Sequence, residues 1–69
     1  MIVVTRLNGE ALHLNVFQVE ALDAIPETRI TLASGRLVYV REKPEEVAAR
    51  MRTWWRTVLI GDEQGRGGT

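Results

Sequence analysis

Two short glycine steps decide most of what this chain can fold into. Asn8-Gly9 separates the apolar, β-branched run "MIVVTRL" from "EALHL", and Ser34-Gly35 separates "RITLA" from "RLVYV". Glycine reverses a chain cheaply because it takes positive φ with no Cβ to clash. Asn-Gly between apolar runs is the strongest short hairpin signal, since a type I′ turn needs positive φ at both central residues. Two tight hairpins are therefore expected. A two-residue loop in the first pairs Leu7 with Glu10, Thr5 with Leu12 and Val3 with Leu14. That makes Val3, Leu7, Leu12 and Leu14 the expected core face, with Ile2, Val4, Ala11 and His13 behind it. The same loop in the second pairs Leu32 with Leu37 and Ile30 with Tyr39. Arg29, Thr31, Val38 and Val40 fall on its other face. Aligning Gly9 with Gly35 also aligns Thr5 with Thr31, His13 with Tyr39 and Leu14 with Val40, too little to mark a repeat.

Between the hairpins, "FQVEALDA" alternates well enough for a strand from about Phe17 to Ala24, with a helical reading of Val16 to Leu22 as its rival. Pro26 fixes φ and removes a donor, so "IPETR" reads as a turn. "KPEEVAARMRTWWRTVLI" reads as a helix from about residue 44 to 60. Pro44 suits the first helical position, and Glu45 and Glu46 complement the helix dipole. Val47, Met51, Trp54 or Trp55, and Val58 recur at helical spacing, and Gly61 suits the stop. The fold class expected is α+β and mainly β. About five strands over residues 1–42 form a small antiparallel sheet or a partly closed barrel, with one C-terminal helix. Residues 61–69, glycine-rich and polar, are expected to be a flexible tail on this single domain of residues 1–60.

A chain of 69 residues buries a smaller share of its surface than a larger domain does, and small domains often lean on disulfides, metals or a second copy. Cysteine is absent and histidine occurs once, which leaves no thiolate site and a poor imidazole one. A homo-oligomer is the remaining common support. Nine basic and nine acidic residues cancel, so the basic excess of a nucleic-acid binder is missing and nucleic acid is disfavoured as a partner. No apolar stretch is long enough for a transmembrane helix, and "MIVVTRLNG" lacks the charged start and cleavage site of a signal peptide. The chain is expected to be cytoplasmic, with no membrane insertion.

No residue pattern points to catalysis. His13 is the chain's one imidazole, but it has no partner fixed by spacing. Ser34 sits in "ASG", which is not a nucleophile elbow. Glu20, Asp23 and Glu27 cluster in sequence, yet a chain this small scarcely builds a cleft around them. Glu42, Glu45 and Glu46 are accounted for by the helix dipole. No P-loop, dinucleotide fingerprint or zinc spacing occurs, and no catalytic residue, metal site or cofactor is expected. The second faces of both hairpins are too apolar for solvent, which implies cover by the helix or by another subunit. Trp54 and Trp55 point about 100° apart on a helix, so one enters the core and the other stays half-open beside Arg52 and Arg56. Ile2, Val4, His13, Val38, Val40 and Trp55 are thus the candidate interface.

The chain resembles a small family of bacterial flagellar proteins called FlbD, or SwrD for swarming motility. The matching residues are "TRLNG" at Thr5 to Gly9, Leu14-Asn15, and the frame Glu20, Ile25, Pro26, Thr28, Ile30, Leu32 and Gly35. "VYVRE" and "EEV" continue it, so the likeness spans about Met1 to Met51 and stops before "TWWRTVLIG". Members often carry serine before the helix, where this chain has Lys43 and Pro44. The resemblance implies a non-enzymatic cytoplasmic accessory of flagellar motility. It would support motor or stator power through protein-protein contacts, with motor or stator components as partners. The alternative reading is a small β-rich RNA-binding regulator.

Overall fold

The computed structural model describes residues 1–60; the tail expected at 61–69 lies outside them. Strands β1 (Ile2–Thr5) and β2 (Ala11–Leu14) form one antiparallel sheet. A one-turn 3-10 helix (Val16–Gln18) leads into β3 (Val19–Asp23), β4 (Thr28–Leu32) and β5 (Leu37–Val40), an antiparallel sheet in the order β3-β4-β5. The single helix α1 (Pro44–Ile60) follows. The architecture is mainly β with one helix, and the strands make two open sheets rather than a closed barrel. The sheets meet at one corner, where Arg6 bridges Val40 and the Arg41 N–H donates to the Thr5 carbonyl at 2.8 Å.

Both hairpins turn through three residues, not two. In the first, Arg6 N–H donates to Glu10 and Gly9 N–H to Arg6, and only then does the strand ladder begin. In the second, Leu32 N–H donates to Arg36 and Gly35 N–H to Leu32. Each loop ends on a glycine at positive φ, +94° for Gly9 and +93° for Gly35. The residue before each glycine braces the exit: Asn8 Oδ1 accepts from Glu10 N–H at 2.9 Å, and Ser34 Oγ from Arg36 N–H at 3.4 Å. A loop with one left-handed residue demands positive φ only of its glycine.

The extra loop residue slips the register by one and reverses one strand of each hairpin, because strand side chains alternate with period two. Ile2 pairs with Leu14 and Val4 with Leu12 on the core face, whereas Val3 pairs with His13 outside. In the second hairpin Thr28 pairs with Val40 and Ile30 with Val38 inside, and Leu37 and Tyr39 turn away from the core. The expected core face was therefore correct for β2 and β4 and inverted for β1 and β5. The core unites Ile2, Val4, Leu14, Val16, Ile30, Val38 and Val40 with Val47 from the helix. The strand expected from Phe17 begins at Val19 instead, because Asn15 Oδ1 accepts from Phe17 N–H at 3.0 Å and caps the 3-10 turn first.

Candidate interaction surface

Helix α1 lies over the core through Val47, which is fully buried, and through Met51 and Trp54, which are half-buried. Its start has neither serine nor aspartate at the cap, yet it is still closed. The Glu46 carboxylate accepts the Lys43 N–H at 2.8 Å, the reciprocal half of a capping box. Pro44 needs no donor there.

Toward its end the helix carries a run of exposed apolar side chains. Phe17, lifted out by the 3-10 turn, meets both tryptophans. The centroid distances Phe17–Trp54, Phe17–Trp55 and Trp54–Trp55 are each 5.2 Å, with rings near perpendicular. Such edge-to-face pairs stabilise by about 0.5–1.5 kcal/mol each beyond area burial. Packing one another does not cover them: Phe17 is 63% exposed and Trp55 37%. A groove runs from this cluster between α1 and the edge strand β3, with Val19, Ala21, Leu22, Ala48 and Met51 along it. Glu20 and Arg52 stand at its sides. Past Trp54 every helical residue is exposed, including Val58 at 48% and Leu59 at 74%.

A second cluster lies between β1 and α1 and is polar. Glu42 accepts from Thr5 N–H and from Thr5 Oγ1, both at 2.9 Å, and from Arg50 Nη1 at 3.1 Å. Arg50 Nη1 also donates to the Val3 carbonyl at 2.7 Å. Burial pushes the Glu42 carboxyl up, but the hydrogen bonds from Thr5 and Arg50 outweigh it and hold the group below the usual range. Thr5 and Val3 present these backbone groups on the edge of β1 away from β2. The cluster therefore caps an exposed strand edge, a structural task. A hollow beside it is lined by Ile2, Val3, Ala49 and Thr53 together with the Thr5, Glu42 and Arg50 of the cluster.

The six candidate interface residues separate. Ile2, Val4, Val38 and Val40 are core residues of this chain, so only the β1 and β5 halves of the second faces belong to the core, which α1 covers through Val47, whereas Ala11 and His13 on β2 are exposed. His13 is exposed on β2 opposite Val3 and does not sit beside Val4. Trp55 alone lies on the apolar surface. Of the acidic cluster, Asp23 pairs with Arg29 at 2.8 Å, and the Arg29 hydrogen bond holds its carboxyl below the usual range. Sequence reading missed Phe17, taken as a strand residue, and the exposed end of the helix. The Asn15 cap was the available signal for the first.

A family model described as FlbD, flagellar and swarming motility proteins, matches residues 1–59. The chain belongs to the FlbD family. No curated protein and no solved structure matches it. The FlbD match runs past Met51, where the motif likeness stopped, and takes in Trp54, Trp55 and nearly all of α1. The aromatic surface is thus part of the family domain. Membership assigns the chain to flagellar and swarming motility. Among the described residues no helix is long and apolar enough to cross a membrane.

Proposed function

We propose that this FlbD-family protein is a non-enzymatic, cytoplasmic accessory that supports the flagellar motor and its stator units through protein-protein contacts. The contact surface is the aromatic end of α1 with Phe17 and the groove along β3. One observation carries this reading: Phe17 and Trp55 stay open to solvent although each packs against two other rings, and Val58 and Leu59 on the same helix end are open as well. Tryptophan on a partly exposed, apolar site is a preferred interface anchor. The RNA-binding alternative lacks a basic excess, with nine basic against nine acidic residues, and three of the arginines are engaged within the fold. Arg29 pairs with Asp23, Arg41 grips the Leu7 carbonyl, and Arg50 serves Glu42 and Val3.

The test is swarm expansion in a motile host deleted for its own copy and supplied with wild type or Trp55→Ala at equal protein level. The variant is expected to leave filaments assembled and to lower rotation under load and swarm expansion toward the deletion strain. Swarming equal to wild type would overturn the assignment of this surface.

A further inference from the structure

The apolar stripe of α1 does not stop where the sheet stops. Val47, Met51, Trp54 and Val58 follow 4-3-4 spacing along one meridian of the helix. Val47 is fully buried, Met51 and Trp54 half-buried, and Val58 open. Beyond Trp54 the helix runs on for roughly 9 Å, at about 1.5 Å per residue, with Val58 and Leu59 uncovered. A helix that served only its own core would turn polar on this face once the sheet ended. Residues 61–69 carry no aliphatic or aromatic side chain.

We infer that the cover is a second copy of this chain, the two helix ends crossing about a two-fold axis near Trp55 and Leu59. The inference rests on the reading of this surface as a contact site and names its first occupant. Phe17, Trp55, Val58, Leu59 and the groove floor together present apolar surface on the order of 500 Å², at the size where a monomer's largest patch is commonly functional. Pairing the patch with itself covers about 1,000 Å² in total, the area that separates specific interfaces from chance contacts. A two-fold contact must be self-complementary, and this one has both signs at its sides: Glu20 from β3 and Arg52 from the helix. The axis sets the Glu20 side of one copy against the Arg52 side of the other. The domain also has reason to associate. Its buried core consists of aliphatic side chains only, with no cysteine to staple it.

Light scattering on the full chain across a concentration series tests this. Wild type is expected at twice the mass of one chain, with tryptophan emission shifting to the blue as concentration rises. Leu59→Glu is expected at the mass of one chain with unchanged far-ultraviolet circular dichroism, because Leu59 is 74% exposed within one copy. Glu20→Arg, which places like charges across the axis, is expected to weaken pairing even if Leu59→Glu disturbs the helix. A wild type that stays at the mass of one chain at every concentration overturns the inference, and so does a dimer that both variants leave intact. Swarming separates this failure from that of the functional reading. A monomeric wild type with a swarming-defective Trp55→Ala leaves the motility surface standing and removes the dimer. A dimer broken by Leu59→Glu in cells that swarm normally does the reverse.

Discussion

The two hairpins turn alike and are held differently. β1 and β2 stand to Gly9 as β4 and β5 stand to Gly35, each pair with a three-residue loop, a glycine at positive φ and a side-chain brace from the preceding residue. Their core positions correspond, Val4 with Ile30 and Leu14 with Val40. The difference lies at the edges. In the second hairpin β4 is flanked by β3 and β5, so its backbone groups are met by strands on both sides. The first hairpin meets the second sheet only at the Arg6–Val40 bridge and the Arg41 N–H on the Thr5 carbonyl, and among the described residues no strand runs along the rest of β1. Side chains take that place: Glu42 meets Thr5 N–H, Arg50 meets the Val3 carbonyl, and Arg41 grips the Leu7 carbonyl with Nε at 3.0 Å and Nη2 at 2.8 Å. A hairpin alone is marginal in water. One of these two is stabilised by a sheet, the other by a linker and a helix face.

Removing the tether should therefore have the largest effect. Glu42 is only 11% exposed, and Glu42→Ala strands Thr5 N–H, Thr5 Oγ1 and one arm of Arg50 together. A loss of about 2–3 kcal/mol in urea unfolding is expected. Asp23→Ala removes an ion pair that joins β3 to the second hairpin and whose members are 34% and 44% exposed, and its loss should be much smaller. Equal losses would break the distinction between a side-chain-held hairpin and a strand-held one. The loops supply the control. Gly9→Ala and Gly35→Ala each force a Cβ into left-handed backbone, expected to cost about 1–2 kcal/mol at either site. A Cβ on Gly9 would meet Arg41 Nη2 at 3.5 Å, ordinary contact, and one on Gly35 would meet nothing within 4 Å. Near-equal losses would show that the turns are equivalent and that only the edges differ. A markedly greater loss at Gly9 would show that the Arg41 grip has tightened the first loop.

The same comparison explains what the sequence could and could not say. Both turns, the strands around them and the helix stood out because glycine, β-branched runs and helical spacing are local signals. The loop length was not local. Asn8-Gly9 fits a two-residue turn as well as a three-residue one, and "MIVV" offers apolar residues to either face. Ser34-Gly35 held the better clue, since serine resists the positive φ that a type I′ turn would ask of it. One residue of slip then moved Ile2, Val4, Val38 and Val40 from a supposed contact face into the core. The edge tether was illegible because Thr5 and Glu42 are distant in sequence and no periodicity connects them. Trp55 was legible as half-open from helix geometry alone. That Phe17 joins it depended on the Asn15 cap winning over strand alternation.

Acidification offers the finest test of the two edges. Glu42 and Asp23 both titrate below the usual carboxylate range when folded, Glu42 because hydrogen bonds from Thr5 and Arg50 overcome its burial, Asp23 because of its hydrogen bond to Arg29. A carboxylate with a depressed folded value binds protons more weakly in the native state than in the unfolded one. Its contribution is complete above the unfolded value and disappears as pH falls through the folded one. Stability should therefore decline on the acid side of the ordinary glutamate range and change little between there and neutrality. Glu42→Gln should flatten that decline, since the amide cannot gain a proton, at the cost of lower stability at neutral pH. Asp23→Asn should flatten it less, and added salt should erase most of the Asp23 share because its ion pair lies in solvent. If Asp23→Asn flattened the acid limb more than Glu42→Gln, the charge that matters would lie on the strand-held hairpin, and the assignment of the tether to Glu42 would fail.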